Sequence, residues 1–174
     1  MIPYMNLEEQ VDSDFVGARR RALLRRVMAR FHKAHIHNRL LSFDEVREAS
    51  LADSWIYIGP KIVEVEKIVG SVGRQNDFDR SFLPIRADVE ARWRRVDRAF
   101  RQIEDLPPVS LYKIGDAFFV LDGHHRVSVA RYHGVPTVEA VVTEFLPRTP
   151  SVPPAGAQTF TGERTFEAQD RRVA

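Results

Sequence analysis

The chain of 174 residues contains no cysteine. That absence excludes a disulfide scaffold, a thiolate metal site and thiol-based redox chemistry, and it fits a reducing, cytoplasmic compartment. Also missing is an apolar run of the roughly 20 residues needed to span a bilayer. The opening MIPYMNLEEQVDSD lacks the basic-then-apolar plan of a secretory signal. No membrane span is expected. Charge of one sign is scarce as well: 26 Lys and Arg against 24 Asp and Glu leave a net +2, too little to imply a nucleic-acid partner by itself. What remains is a composition of 44% hydrophobic and 29% charged residues, which is globular rather than disordered. The length suits one ordinary domain with arms or tails.

Three parts are expected: a helical extension over 1–54, a domain over 55–146 and a flexible tail over 147–174. Residues 15 to 50 read as helical. Leu23, Val27 and Phe31 recur at helical spacing with Leu24 and Met28 beside them, which predicts one apolar stripe. Ser42 and Glu45 match a capping box that starts a short helix at about 43–50. The middle part alternates strand and helix patterns. LADSWIYIG reads as a strand ending at Gly59-Pro60, and KIVEVEKIVGS as a second, carrying Ile62, Val63, Val65, Ile68 and Val69. A polar stretch, VGRQNDFDRSFLP, leads into ADVEARWRRVDRAFRQIEDL, where Val89, Trp93, Val96, Phe100 and Ile103 form a helical face that Pro107-Pro108 stops. VSLYKI, a turn at Gly115-Asp116 and AFFVLD read as a β-hairpin. A helix over 124–133 is closed by Gly134, and TVEAVVTEF is a last strand. From Pro147 onward Pro, Thr, Gly and charge dominate, as in a tail.

The stretch VLDGHHRVSVARYHG, 120–134, concentrates the chemistry. A strand ends at Asp122, Gly123 permits a tight turn and a helix begins at His124. A helix N-terminus presents unpaired amides and the positive end of the macrodipole, so it attracts anions. Cations in that first turn oppose the dipole. His124, His125 and Arg126 there make better sense if a phosphate completes them. Arg126 would give a forked clamp, and the histidines would donate hydrogen bonds or move a proton. The competing reading is structural: Asp122 caps the helix, one histidine packs against it and the other groups face solvent. Adjacent histidines point in different directions, so no metal ligand is assigned.

VLDGHHRVSVARYHGVPTVEAVV resembles the hallmark segment of the ParB/sulfiredoxin-like superfamily. That segment reads Gly-Glu-Arg-Arg in chromosome-partitioning ParB proteins, Gly-Cys-His-Arg in sulfiredoxins and Asp-Gly-His-(His or Thr)-Arg in free serine kinases. The resemblance extends back to KIVEVEKIVGSVGR and covers about 60–145. It implies an α/β (α+β) fold, a small mixed sheet with packed helices, in which Gly123, His124, His125 and Arg126 hold the phosphates of a nucleotide. ATP, ADP or CTP, with Mg²⁺, is the cofactor implied. The departures are equally specific. His124 stands where sulfiredoxins carry their cysteine, so that activity is not expected. Only a polar tail follows Phe145, so operator binding through a further helix-turn-helix domain is not expected. Gly70-Ser-Val-Gly-Arg74 carries an arginine where free serine kinases carry a catalytic glutamate, which leaves Glu64, Glu66 or Asp77 to stand in.

Arg74, in a Gly-flanked turn, is a candidate to give the phosphate a second cation, or else a solvated loop arginine. Asp77 and Asp79 are candidates to help hold Mg²⁺, or else turn and cap residues. Three functions follow. The first is a binding module for a nucleotide or a phosphorylated small molecule. The second is an enzyme, a phosphotransferase or nucleotide hydrolase, with Asp122 orienting or deprotonating the acceptor and His124 or His125 in reserve. The third is non-specific association with DNA, or with an anionic membrane surface, through Arg19, Arg20, Arg21, Arg25, Arg26, Arg30 and Lys33. The same helix could instead pack on the domain or on a second copy in a homodimer. His32, His35 and His37 scatter around a helix and are not expected to be ligands. Arg92, Arg94, Arg95, Arg98 and Arg101 make a second basic face.

Overall fold

The structure is a computed structural model that describes residues 5–31 and 39–148. The side chains of Arg30 and of Phe31, a member of the expected stripe, together with His32, Lys33, His35, His37 and the tail from residue 149, lie outside the described part. In chain order the elements are α1 (Leu7–Phe31), β1 (Leu41–Ser42), α2 (Phe43–Ala49), β2 (Ser54–Glu64), β3 (Ile68–Ser71), α3 (Glu90–Arg101), β4 (Val109–Ile114), β5 (Ala117–Asp122), α4 (His124–His133) and β6 (Thr137–Leu146). The strands form one mixed sheet in the order β1-β3-β5-β4-β6-β2. Neighbours β1/β3, β3/β5 and β4/β6 are parallel, while β4/β5 and β2/β6 are antiparallel. The fold is α/β, as expected.

The short-range signals act as read. Ile114 and Ala117 face each other across the Gly115-Asp116 turn and close the β4–β5 hairpin. Ser42 caps α2 by accepting from the Glu45 amide. Gly134, at φ +70°, ends α4 in the left-handed conformation that glycine adopts without steric cost. Gly59-Pro60 does not end a strand, however. β2 runs through it, with Gly59 at φ +86° and a register shift between Tyr57 and Gly59 against β6. β2 is an edge strand, so the missing Pro60 N–H breaks no second ladder, and a bulge with proline is how edges are kept from pairing further.

Residues of the 1–54 extension are woven into the same body. β1 pairs with β3, and α1 lies on α3 and α4 through Val11, Phe15, Ala18 and Ala22, all buried. The expected stripe of Leu23, Leu24, Val27 and Met28 is instead the exposed side of α1. Helical spacing is satisfied by either stripe, and the one with the smaller residues permits the closer approach to Trp93 and Tyr132. The stretch VGRQNDFDRSFLP is less polar in function than in composition: Phe78, Phe82 and Leu83 are buried and belong to the core. Phe43 on α2 covers the sheet against Tyr112, Phe119 and Phe145.

Ile103 does not belong to the face of α3. The helix ends at Arg101, and Ile103 follows at φ +57° with 91% of its surface exposed. Its N–H bonds to the Phe100 carbonyl and that of Glu104 to the Ala99 carbonyl, the paired bonds of a Schellman cap. A β-branched residue is strained in this left-handed position, which costs about 1–2 kcal/mol. Ile103→Gly is therefore expected to raise unfolding stability by about 1 kcal/mol in a urea titration, after allowance for the freer unfolded chain.

Candidate functional site

β3 and β5 are adjacent and parallel, with Ser71 opposite Val120, so their carboxyl ends deliver two segments to one place. One is the loop carrying Arg74, Asp77 and Phe78. The other is the β5–α4 junction. The crevice beyond the carboxyl ends of parallel strands is where open α/β sheets bind ligands. At the junction Gly123 takes φ +96° and provides no side-chain cap to α4. A Cβ there would meet the Val109 Cγ1 at 2.6 Å, so glycine is required by space as well as by conformation. The first intrahelical bond runs from the Val127 N–H to the Gly123 carbonyl at 3.0 Å. The amides of His124, His125 and Arg126 come before it and have no acceptor among the described residues.

His124 is buried, and its Nε2 lies 2.7 Å from the Ser71 Oγ. Ser71 Oγ also accepts from the Arg74 N–H at 3.1 Å, and still has a proton to donate and a lone pair to accept with, so it can pair with either tautomer of His124. Phe78 stacks on the His124 ring and presents itself edge-on to His125. His125 is buried too, yet both its ring nitrogens lack a hydrogen-bond partner among the described residues. Leaving such groups unpaired costs about 1–3 kcal/mol each. Burial, and then the charge of Arg74, push both histidines down to about 4, so both rings are neutral at pH 7.

Of the residues expected to form the site, Gly123, His124, His125 and Arg74 come together. Arg74 is half-buried, donates to Asp77 at 2.8 Å and lies near enough to act on both rings. Arg126 points elsewhere. It donates to the Pro107 carbonyl, to the Pro108 carbonyl at 2.9 Å and to Asp122 at 2.6 Å, and so ties α4 to the entry of β4. Asp122 is exposed, pairs with Arg126 and does not cap the helix. Asp79 is a turn residue: its Oδ1 accepts from the Ser81 and Leu83 amides, each at 2.9 Å, and burial raises its pKa. Asp77 pairs with Arg74 at 2.8 Å and lies 3.8 Å from Arg86, while the charge of Arg74 still acts on both histidines.

Ser71, Phe78 and Arg131 were not singled out in the sequence. Arg131 donates to the Val65 and Ile68 carbonyls at 2.8 and 3.1 Å and holds α4 against the start of β3. Nothing in the local pattern marks these three, because each acts on a residue far along the chain. A second cluster lies on α1, α3 and α4, where Asp14, Asp97 and His133 place ligand atoms within 4.8 Å of one another. The Arg101 guanidinium already bonds to Asp14 and lies 3.6 Å from Asp97, so a protein cation neutralises this cluster.

No protein-family model matches the chain, and no curated protein matches it. Among solved structures it is similar to a sulfiredoxin from Arabidopsis thaliana, at 17% identity and a TM-score of 0.37, over 50% of this chain and 86% of that one. A likeness of that size says nothing about chemistry. No described helix is long and apolar enough to cross a membrane.

The two buried histidines make stability depend on pH. Their folded pKa values, about 4, lie below the unfolded value of 6.5, so the unfolded chain binds protons first. Their contribution is present above pH 6.5 and is lost as pH falls toward 4. Between pH 7 and pH 5 the loss is expected to be about 2 kcal/mol for each histidine. Urea unfolding at the two pH values measures it, and the slope should flatten in the His124→Asn, His125→Asn double variant.

Proposed function

We propose that this chain is a phosphate- or nucleotide-binding module of the ParB/sulfiredoxin-like kind, with its anion site at the N-terminus of α4. The observation that carries the reading is the uncapped helix end: three amides without an acceptor among the described residues, next to a buried histidine whose ring nitrogens have no partner there either. Polar groups buried in that state call for a ligand or water to complete them. Arg74 supplies the nearby positive charge, and Arg126 contributes by holding the helix in place. This reading stands ahead of phosphoryl transfer, because Asp122, the residue expected to deprotonate an acceptor, is committed to Arg126. Calorimetry with ATP, ADP and CTP, with and without Mg²⁺, tests it. At least one nucleotide should bind at millimolar concentration or below, and Arg74→Ala should weaken it about tenfold, the scale of one charge-assisted contact. No binding by any of the three would remove the reading. Phosphorus NMR on the bound nucleotide with small alcohols then separates a module from a transferase.

A second reading has its own observation. α1 divides into an acidic half and a basic half. Glu8, Asp12 and Asp14 on the first half pair with Arg98, Arg94 and Arg101 of α3, so those arginines are not a free basic face. On the second half Arg19, Arg20, Arg25 and Arg26 are exposed and have no acidic partner among the described residues. Arg21 differs, since it lies over the Tyr132 ring and donates to the Tyr132 carbonyl. Four exposed arginines on one half-helix, none of them in an ion pair among the described residues, suit a phosphate backbone. If DNA is the partner, replacing Arg19, Arg20 and Arg26 together should flatten the salt dependence of duplex binding by about two to three units of log–log slope. Unmeasurable binding at low salt would eliminate DNA.

A further inference from the structure

α4 is a buried helix, and among the described residues each of its polar side chains has at least one partner except His125, although the Nε of Arg131 is also buried without one. Ser128 accepts from the Trp93 Nε1 at 2.9 Å, His124 meets Ser71, Arg131 reaches backbone carbonyls and His133 meets Asp97 at 2.6 Å. His125 is 8% exposed, and neither ring nitrogen has a partner among the described residues. It occupies the second position of the helix, so its own amide is one of the three that await an acceptor. The Phe78 ring packs edge-on against it, and the charges that act on it come from several elements: Arg74 and Asp77 from the loop after β3, Arg92 from α3 and Asp122 from the end of β5, with the His124 ring beside it on α4.

We propose that an anion captured at the N-terminus of α4 is captured together with a proton, which passes from solvent to the His125 imidazole. The proposal rests on the anion site inferred above and gives that site a pH response. A neutral imidazole offers one N–H and one lone pair, whereas an ionised phosphate offers only acceptors. The anion can therefore complete one ring nitrogen of neutral His125 but both donors of the imidazolium, directly or through water. An oxygen that accepts from the His125 amide sits within reach of the same residue's Nδ1 once the ring turns about its first side-chain torsion. Without an anion, burial and the charges of Arg74 and Arg92 keep the ring neutral, with a pKa of about 4. A bound dianion reverses the sign of the dominant charge nearby and favours the imidazolium. His124 is the internal reference, because Ser71 already occupies its Nε2. Binding and protonation are then linked, so each must strengthen the other.

The test is a histidine-ring NMR titration of the full chain from neutral to acidic pH, with millimolar sodium pyrophosphate or sodium chloride at matched ionic strength. His125→Asn assigns the resonance. Reading the ring directly avoids confusion with protons that titrate on the pyrophosphate itself. The expected result is that pyrophosphate raises the His125 pKa by about one unit or more and that of His124 by distinctly less. If the amides of Gly123 to Val127 shift on adding pyrophosphate while the His125 pKa stays where chloride leaves it, proton capture is overturned and anion binding stands. If neither the amides nor the rings respond, both proposals fall.

Discussion

Burial of α4 against two partners is the constraint on which the site depends. One side, through Val127, joins the core over the sheet, and the other, through Val129, joins the core shared with α1 and α3. A helix enclosed in this way cannot leave its polar residues to water, so each must be answered by another element. Trp93 answers Ser128, Ser71 answers His124, and the carbonyls that lead into β3 answer Arg131. These bonds fix the helix's rotation and height, and with them the direction in which its free amides point. Among the described residues His125 is the side chain of this set in which no polar atom is answered.

Electrostatics then divides the labour among the arginines. Arg126, the cation nearest in sequence to the free amides, serves as a strut between α4, Asp122 and the prolines ahead of β4. Arg74, from fifty residues earlier, brings its charge to the histidines and helps to keep both rings neutral. The positive field at the helix end thus comes from the backbone dipole and a loop arginine rather than from imidazolium groups.

The same economy governs α1. Its acidic first half is latched to α3 by Arg94, Arg98 and Arg101, and the network reaches α4 through His133 and Tyr132, both bonded to the carboxylates of Asp97 and Asp14. Exposed pairs in such a network are individually weak. They lie beside the packing of Phe15, tilted against Trp93, that turns the inward stripe of α1 toward α3. The second half of α1 is left basic and exposed.

What the sequence determined alone is what short-range physics controls. The β4–β5 hairpin, the Ser42 cap, the Gly134 stop and the strand–Gly123–helix junction depend on backbone preferences of a few neighbouring residues, and all are legible in the letters. Tertiary structure decided the rest, because a residue's role there depends on what lies across from it. Helical spacing admitted two stripes on α1, and only the packing against Trp93 and Tyr132 chose the smaller one. Gly59-Pro60 has the composition of a turn but becomes a bulge because β6 continues alongside it. The Gly-His-His-Arg motif raised the expectation of an anion site held by Arg126, yet that arginine turned to Pro107 and Pro108, while Ser71 at the end of β3 and Phe78 from the loop after it, neither marked in the sequence, reached the histidines beside the expected Arg74. No local pattern can show that exchange, since the energy of a buried polar group is set by the partner it meets on folding.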